Sequence, residues 1–191
     1  MIFLRNKISP SPLLSCIIYK LKKFFEGYLK EFVYGALDGT VTTFAIIAGS
    51  AGASLSSAIV LILGFSNVLA DGFSMASSNY LAEKSSREQS GEISETKTGP
   101  FKKALATFVS FILIGTIPLF PYLLNAITGI WQENTFLISG IFTSIAFLLV
   151  GQIRGKITKK NKIISGLETL IIGGIAASVA YAVGAFLDKI V

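Results

Sequence analysis

The chain has no histidine and only one cysteine, Cys16, among its 191 residues. A zinc site of His and Cys ligands and a disulfide within one chain are therefore both excluded. The sequence also lacks a recognisable pairing of a nucleophile with a base, so we predict neither an enzyme nor a bound cofactor. Cys16 lies among apolar residues and is interpreted as a small hydrophobic side chain, with acylation as the alternative.

Charged residues are scarce too. They make up 15% of the chain, against about 25% in typical soluble domains, whereas 52% of the residues are hydrophobic. A bilayer-spanning helix needs about 20 mainly apolar residues, and five stretches reach that length. The sequence therefore predicts an all-α integral membrane protein with five transmembrane helices. The predicted spans are residues 32–53, 55–80, 103–125, 135–153 and 163–187.

Basic residues are distributed unevenly between the two predicted sides of the membrane. The loop between the first two spans and the loop between the third and fourth contain no Lys or Arg. The N-terminal segment and the other two loops contain 16 of the 17 basic residues, and the tail contains only Lys189. The positive-inside rule then predicts a cytosolic N-terminus and an external C-terminus. A nucleic-acid ligand is not expected, because it would need these charges on one soluble face.

Residues 1–31 are expected to form a cytosolic or interfacial segment ahead of a five-helix transporter domain at 32–187. Apolar side chains recur at helical spacing from Leu13 to Phe32, and Pro12 suits a first helical turn. We therefore predict an amphipathic helix that lies in the membrane interface before it turns into the first span. A short cytosolic connector is expected at 81–102.

Small residues and prolines within the spans predict how the helices meet. Gly35 and Gly39 in the first span, four residues apart, would let another helix approach closely in lipid. Pro118 and Pro121 predict a kink in the third span, which is tolerated only where neighbours satisfy the freed backbone groups. Whether the kink sets only the shape of the helix or acts as a moving gate stays open.

Three carboxylates, Asp38, Asp71 and Glu168, fall inside predicted spans, where ionisable residues are functional candidates. At about 1.5 Å per residue, Asp38 lies roughly 9 Å below the cytosolic surface, and Met75 and Glu168 roughly 8 Å. Asp71 lies about 14 Å deep by the same measure. We therefore expect Asp38, Met75 and Glu168 to share one layer, with Asp71 one helical turn beyond it.

Glu31 and Thr42 lie on the same face of the first helix as Asp38, which predicts an acidic mouth, an internal acid and a hydroxyl. Carboxylate oxygens with the Met75 thioether suit iron, manganese or copper better than magnesium or calcium. Burial raises the pKa of carboxyl groups in general, so protons and metal would compete for one site. That competition is a physical basis for metal–proton exchange.

Each of these candidates also has a plainer interpretation. Met75 is a packing residue in the simplest view, and Asp38, which precedes Gly39, would be a cap of a broken helix. Glu168 would be a residue of a helix interface.

Four stretches together resemble the vacuolar iron transporter family. They are YGALDGTVTTFAIIAGSAG, LADGFSMASSNYLAEKSSRE, GTIPLFPYLL and SGLETLIIGGIAASVAYAVG, in that order, and they fall within about residues 31–187. The resemblance implies a five-helix homodimer that exports Fe2+, and sometimes Mn2+, from the cytosol in exchange for protons. It implies a metal path along the dimer interface, with Asp38, Met75 and Glu31 as metal residues.

The chain departs from that family in two places. Better-known members have a long acidic helical extension between the second and third spans, where this chain has about 20 residues. Glu88, Glu92 and Glu95 remain there at helical spacing, and they are interpreted either as metal-capturing residues or as part of a solvated connector. Some members also have an acid at the position of Asn67, for which Asp71 is the expected substitute.

The sequence thus predicts a proton-coupled exporter of Fe2+ or Mn2+ that works as a homodimer in a lipid bilayer. A membrane-bound metal sensor or scaffold without transport, and an organic-cation transporter that uses Asp38 and Asp71 as counter-charges, are the alternatives. The expected location is the plasma membrane in a prokaryote and a vacuole-like membrane in a eukaryote.

Overall fold

Helices account for nearly all of the chain that the structure describes. The computed structural model describes residues 12–90, 99–131 and 134–190, with side chains from residue 27 onward. Within these ranges the α-helices are α1 (Pro12–Gly52), α2 (Ser57–Ser90), α3 (Pro100–Gly115), α4 (Phe120–Thr128), α5 (Thr135–Ile157) and α6 (Lys162–Leu187). A 3₁₀ turn at Ile117–Leu119 joins α3 to α4. The described ranges contain no β-strand.

Five helical segments are long and apolar enough to cross a membrane, which confirms the predicted all-α, five-span class. They are Gly27–Gly52, Ser57–Ser90, Pro100–Thr128, Thr135–Ile157 and Lys162–Leu187. The third segment contains α3, the 3₁₀ turn and α4 together. The chain is therefore a multi-pass membrane protein.

The N-terminal amphipathic segment and the first span form one continuous helix. We expected the chain to turn between them, but α1 runs for 41 residues from Pro12 to Gly52. No proline follows Pro12 before Pro100, so no residue in α1 removes a backbone donor from the helix interior. The boundary expected at residue 31 is therefore not marked by a break in the backbone.

The second helix is longer than its apolar stretch. It continues about ten residues beyond the predicted end at residue 80 and stops at Ser90, so it takes up the first half of the expected connector. Two pairs of opposite charges four residues apart support this extension, Glu83 with Arg87 and Lys84 with Glu88. Such pairs stabilise the exposed end of a helix.

Pro118 and Pro121 break the third span, as the sequence predicts. The α-helix ends at Gly115, and α4 begins at Phe120 after the 3₁₀ turn. The buried Ser139 of α5 donates a hydrogen bond from its hydroxyl to the Pro118 carbonyl at 2.6 Å. A neighbouring helix thus satisfies a carbonyl group at the break.

Helix α1 is the centre of the bundle and contacts different partners along its length. A Cβ atom added to Gly39 would lie 2.7 Å from the Phe111 carbonyl oxygen of α3, so only glycine permits this approach. Gly35 meets α3 in the same way at Ser110. Farther along, Gly52 lies against Tyr181 of α6. The small residues of the first span therefore lie at close contacts with α3 and α6, as predicted.

Candidate functional site

Asp38 and Asp71 come together inside the membrane-spanning part of α1 and α2. Both residues are half-buried, and they are close enough to interact electrostatically. Among the residues that the structure describes, neither aspartate has an ion-pair partner. Thr42 lies one turn farther along α1, and its hydroxyl donates to the Asp38 backbone carbonyl at 2.9 Å.

The depths estimated from the sequence do not by themselves pair these two aspartates. The sequence places Asp38 with Met75 and Glu168, and Asp71 one turn beyond. In the structure Asp71 interacts with Asp38, whereas Met75 lines a cavity that also contains Glu31. Distance along a helix axis thus gives the depth of each residue but not its nearest neighbour.

A cavity of about 490 Å³, lined mainly by polar and charged residues, lies between the middle of α1, the second half of α2 and the first turn of α3. We call it the mouth. It is lined by Lys30, Glu31, Tyr34, Met75, Ser78, Asn79, Ala82, Glu83 and Lys103. Met75 also packs against the core cluster of apolar residues, so it serves in packing and faces the cavity at once.

An ion-pair network crosses the mouth. The Lys103 ammonium group of α3 donates to the Glu83 carboxylate of α2 at 2.7 Å and lies 4.0 Å from the Glu31 carboxylate of α1. Arg87 donates to the same Glu83 oxygen at 3.1 Å. The Glu31 side chain is only 10% exposed, and a carboxylate so nearly buried requires a counter-charge.

Sequence reasoning identified Glu31 but missed Glu83 and Lys103. The four-residue spacing of Glu83 and Arg87 indicates an ion pair on a helix, which makes Glu83 detectable. In the sequence, Lys103 is one of several basic residues near the predicted connector, with nothing to distinguish it from Lys102. The contact of Lys103 with α1 and α2 depends on tertiary packing, so no local sequence pattern predicts that contact.

Two amides of α2 lie in different environments. Asn79 donates from Nδ2 to the Thr107 hydroxyl of α3 at 2.7 Å, which fixes the orientation of the amide in the wall of the mouth. Asn67, the position at which we expect an acid in some relatives, has its Nδ2 atom buried with no hydrogen-bond partner among the described residues. Because Nδ2 is a donor, only the amide oxygen of Asn67 is suited to a cation.

Glu168 lies apart from the mouth. Its carboxylate on α6 lies 3.7 Å from Arg154 of α5, and both side chains are substantially exposed. It is not among the residues that line the mouth. The structure therefore gives Glu168 a basic partner on a neighbouring helix and not a place beside Met75.

The acidic residues of the connector are only partly described. Glu88 is exposed on the last turn of α2 and lies 3.8 Å from Lys84. Glu92 and Glu95 lie outside the described residues. Within the described ranges, no group of three or more His, Cys, Asp or Glu side chains is close enough to hold a metal ion. Within the described ranges the candidate carboxylates therefore lie in pairs, Glu31 with Glu83 at the mouth and Asp38 with Asp71.

Comparison with known proteins places this arrangement in a family. The sequence model of the VIT family matches residues 29–97 and 87–185, which include the mouth and both aspartates. The chain belongs to the VIT family. The resemblance seen in the sequence is thus confirmed.

Several curated proteins are similar to this VIT chain over most of its length. The vacuolar iron transporter of Plasmodium berghei (strain Anka) is 26% identical, over 85% of this chain and 83% of that protein. The vacuolar iron transporter of Toxoplasma gondii (strain ATCC 50861 / VEG) is 28% identical, over 87% and 76%. Vacuolar iron transporter 1 of Oryza sativa subsp. japonica is 27% identical, over 80% and 82%.

Proposed function

We propose that this chain transports a divalent transition metal, Fe2+ or Mn2+, out of the cytosol in exchange for protons. The observation that carries the proposal is the pair of aspartates, Asp38 and Asp71, held within electrostatic reach of each other inside the membrane-spanning helices. The similarity to proteins named vacuolar iron transporter supports iron as the cargo.

The aspartate pair gives a physical reason for exchange. Two carboxylates in a medium of low dielectric cannot both stay charged without compensation. One divalent cation compensates them, and so do two protons. Occupation by metal and occupation by protons therefore exclude each other, and a proton gradient can drive metal in the opposite direction.

The mouth is the place where metal enters in this proposal. Glu31 supplies a nearly buried carboxylate, and Met75 supplies a thioether that favours transition metals over Mg2+ and Ca2+. The positive-inside distribution of basic residues supports a cytosolic position for this end of the bundle. Residues 1–31 then belong to the cytosolic or interfacial side, ahead of the transporter domain at 32–187.

A second copy of the chain completes the path. One protomer offers two aspartates at mid-helix, whereas a transition metal takes at least four ligands. Asp38, Asp71 and Thr42 are half-buried in the single chain, which leaves part of this polar face for a facing protomer. A homodimer that apposes two such faces doubles the number of ligands.

A flux assay in liposomes tests the proposal. Purified protein should move Mn2+, and Fe2+ under anaerobic conditions, when a pH gradient is imposed, and much less without it. Asp38→Asn and Asp71→Asn should each abolish most of the flux, because an amide neither releases a proton nor neutralises a cation. Asp188→Asn is the matched control, since Asp188 is exposed at the end of α6.

The result that refutes the proposal is wild-type flux in the Asp38→Asn protein. Metal binding without flux in the wild type would instead identify a sensor or scaffold. If a quaternary ammonium ion reduced the uptake of labelled Mn2+ as effectively as unlabelled Mn2+ does, the protein would be identified as an organic-cation transporter. The same assay, with the pH gradient imposed in either direction, measures whether metal and protons move in opposite directions. The membrane in which the protein lies would be the plasma membrane in a prokaryote and a vacuole-like membrane in a eukaryote.

A further inference from the structure

The mouth contains a cation of its own. The Lys103 ammonium group lies between two carboxylates that come from two other helices, 2.7 Å from Glu83 Oε1 and 4.0 Å from Glu31 Oε1. Its side chain is 21% exposed, so the group is within the cavity wall and still reachable from it. Met75 lines the same cavity.

The three helices are held together without Lys103. Gly35 and Gly39 bring α1 against α3 by close backbone contact. The hydrogen bond from Asn79 to Thr107 joins α2 to α3 within the wall of the mouth. Lys103 is therefore not required to join the helices. It supplies the counter-charge that the nearly buried Glu31 requires, and a metal cation at the same place would supply that charge equally.

We propose that Lys103 is a specificity-determining residue of the mouth, whose ammonium group occupies the position of an entering cation between Glu31 and Glu83 and leaves only when a divalent ion displaces it. The inference rests on the proposed function, because it assumes that metal enters through this cavity. It adds Glu83 and Lys103 to the residues that the metal meets.

The selectivity follows from charge. Coulomb attraction to a carboxylate scales with the charge of the ion, so a divalent ion gains about twice the attraction of a monovalent one at the same distance. Na+ or K+ gains no more Coulomb attraction to the carboxylates than the ammonium group of Lys103 already has. Lys103 is also covalently attached beside the site, whereas a free monovalent ion has to be bound from solution, so the monovalent ion does not displace it. The long flexible stem of lysine lets the displaced group swing aside while remaining close.

Metal binding to purified full-length protein tests the idea. Mn2+ is the probe, measured by isothermal titration calorimetry. Lys103→Met should lower the Kd for Mn2+ by about tenfold, because one charge-assisted hydrogen bond no longer has to be broken. Lys103→Arg should bind like the wild type. Lys102→Met is the matched control, since Lys102 is the adjacent, exposed residue of α3 and lines a different cavity.

Monovalent ions provide a second readout. K+ at physiological concentration should weaken Mn2+ binding several-fold in Lys103→Met and hardly at all in the wild type. Adding Glu83→Gln to Lys103→Met should remove the gain in affinity. A folded Lys103→Met protein that binds Mn2+ as weakly as the wild type, or more weakly, would overturn the inference.

A measurement on the unaltered protein covers the case in which Lys103→Met does not fold. The rate at which an amine-acylating reagent labels Lys103 is followed by mass spectrometry, with Lys102 as the internal reference. Mn2+ should raise the labelling of Lys103 relative to Lys102, because the displaced ammonium group is no longer held by two carboxylates. An unchanged or lowered ratio at saturating Mn2+ would contradict the inference.

These results separate the inference from the proposed function. Displacement of Lys103 by Mn2+ without any flux in liposomes would support the mouth and refute transport. Flux driven by a pH gradient without displacement of Lys103 would support transport and refute the role of Lys103.

Discussion

The hydrogen bond at the break of the third span allows a quantitative prediction for Ser139→Ala. Ser139 is fully buried, and its hydroxyl donates to the Pro118 carbonyl at 2.6 Å. Removing the hydroxyl leaves that carbonyl without this donor inside the bundle. An unsatisfied buried group costs about 1–3 kcal/mol in water-soluble proteins, whereas interhelical hydrogen bonds in membranes contribute about 0.6 kcal/mol on average and about 1.7 at most.

We expect Ser139→Ala to destabilise the protein by about 1–1.5 kcal/mol, between these two figures. For a chain of this size that corresponds to a decrease in Tm of about 2–6 °C. The assay is thermal unfolding of the purified protein in detergent. Ser178→Ala is the matched control, because Ser178 is exposed and its hydroxyl donates only to the Gly174 carbonyl of its own helix.

The same variant separates the two interpretations of the proline kink. If the break only sets the shape of the span, flux well below the Tm should match the wild type. A changed flux at unchanged metal affinity would indicate a moving gate. Equal Tm values for Ser139→Ala and Ser178→Ala would refute the reasoning, because the hydrogen bond between helices would then contribute no more than one within a helix.

Three further predictions follow from the contacts. Gly35→Ala should destabilise the protein by about 1–3 kcal/mol in thermal unfolding, because the added Cβ would overlap α3, whereas Gly174→Ala, with open space around it, should not. Glu168→Gln should change the stability by at most about 0.5 kcal/mol and leave Mn2+ flux at the wild-type rate, since its pair with Arg154 is substantially exposed. A loss of flux would place Glu168 in the path. The last variant replaces the three acids of the connector together by Gln, at Glu88, Glu92 and Glu95. If the connector is only a solvated segment, the Mn2+ affinity measured by calorimetry should not change.

The spans and the break of the third one could be predicted because they depend on local properties of the chain. Length and apolar content define the five spans, and Pro118 lacks the backbone donor that a helix interior requires. The continuity of α1 could not be predicted as safely. Its amphipathic and fully apolar parts differ in composition, but nothing in the backbone separates them.

The neighbours of each candidate residue depend on the rotation of the helices, which the sequence does not reveal. In α2 the buried stripe of Val60, Gly64, Val68 and Gly72 sets that rotation. Gly64 lies against Leu119, and Gly72 lies against Phe111. This packing leaves Asp71 on a part of α2 from which it interacts electrostatically with Asp38. Depth along the axis could be calculated from the sequence, but the electrostatic interaction between the two aspartates could not.

The two carboxylate pairs along α1 and α2 differ in how their charge is compensated, and that difference would give the proposed path a direction. At the mouth, Glu31 and Glu83 are neutralised by Lys103 and Arg87. Farther in, Asp38 and Asp71 have no ion-pair partner among the described residues. On the proposed route a cation would pass from carboxylates that already have counter-ions to carboxylates that lack them, and the attraction would increase inward. In the proposed exchange, protons would replace the metal at the inner pair, and this replacement would couple metal movement to proton movement.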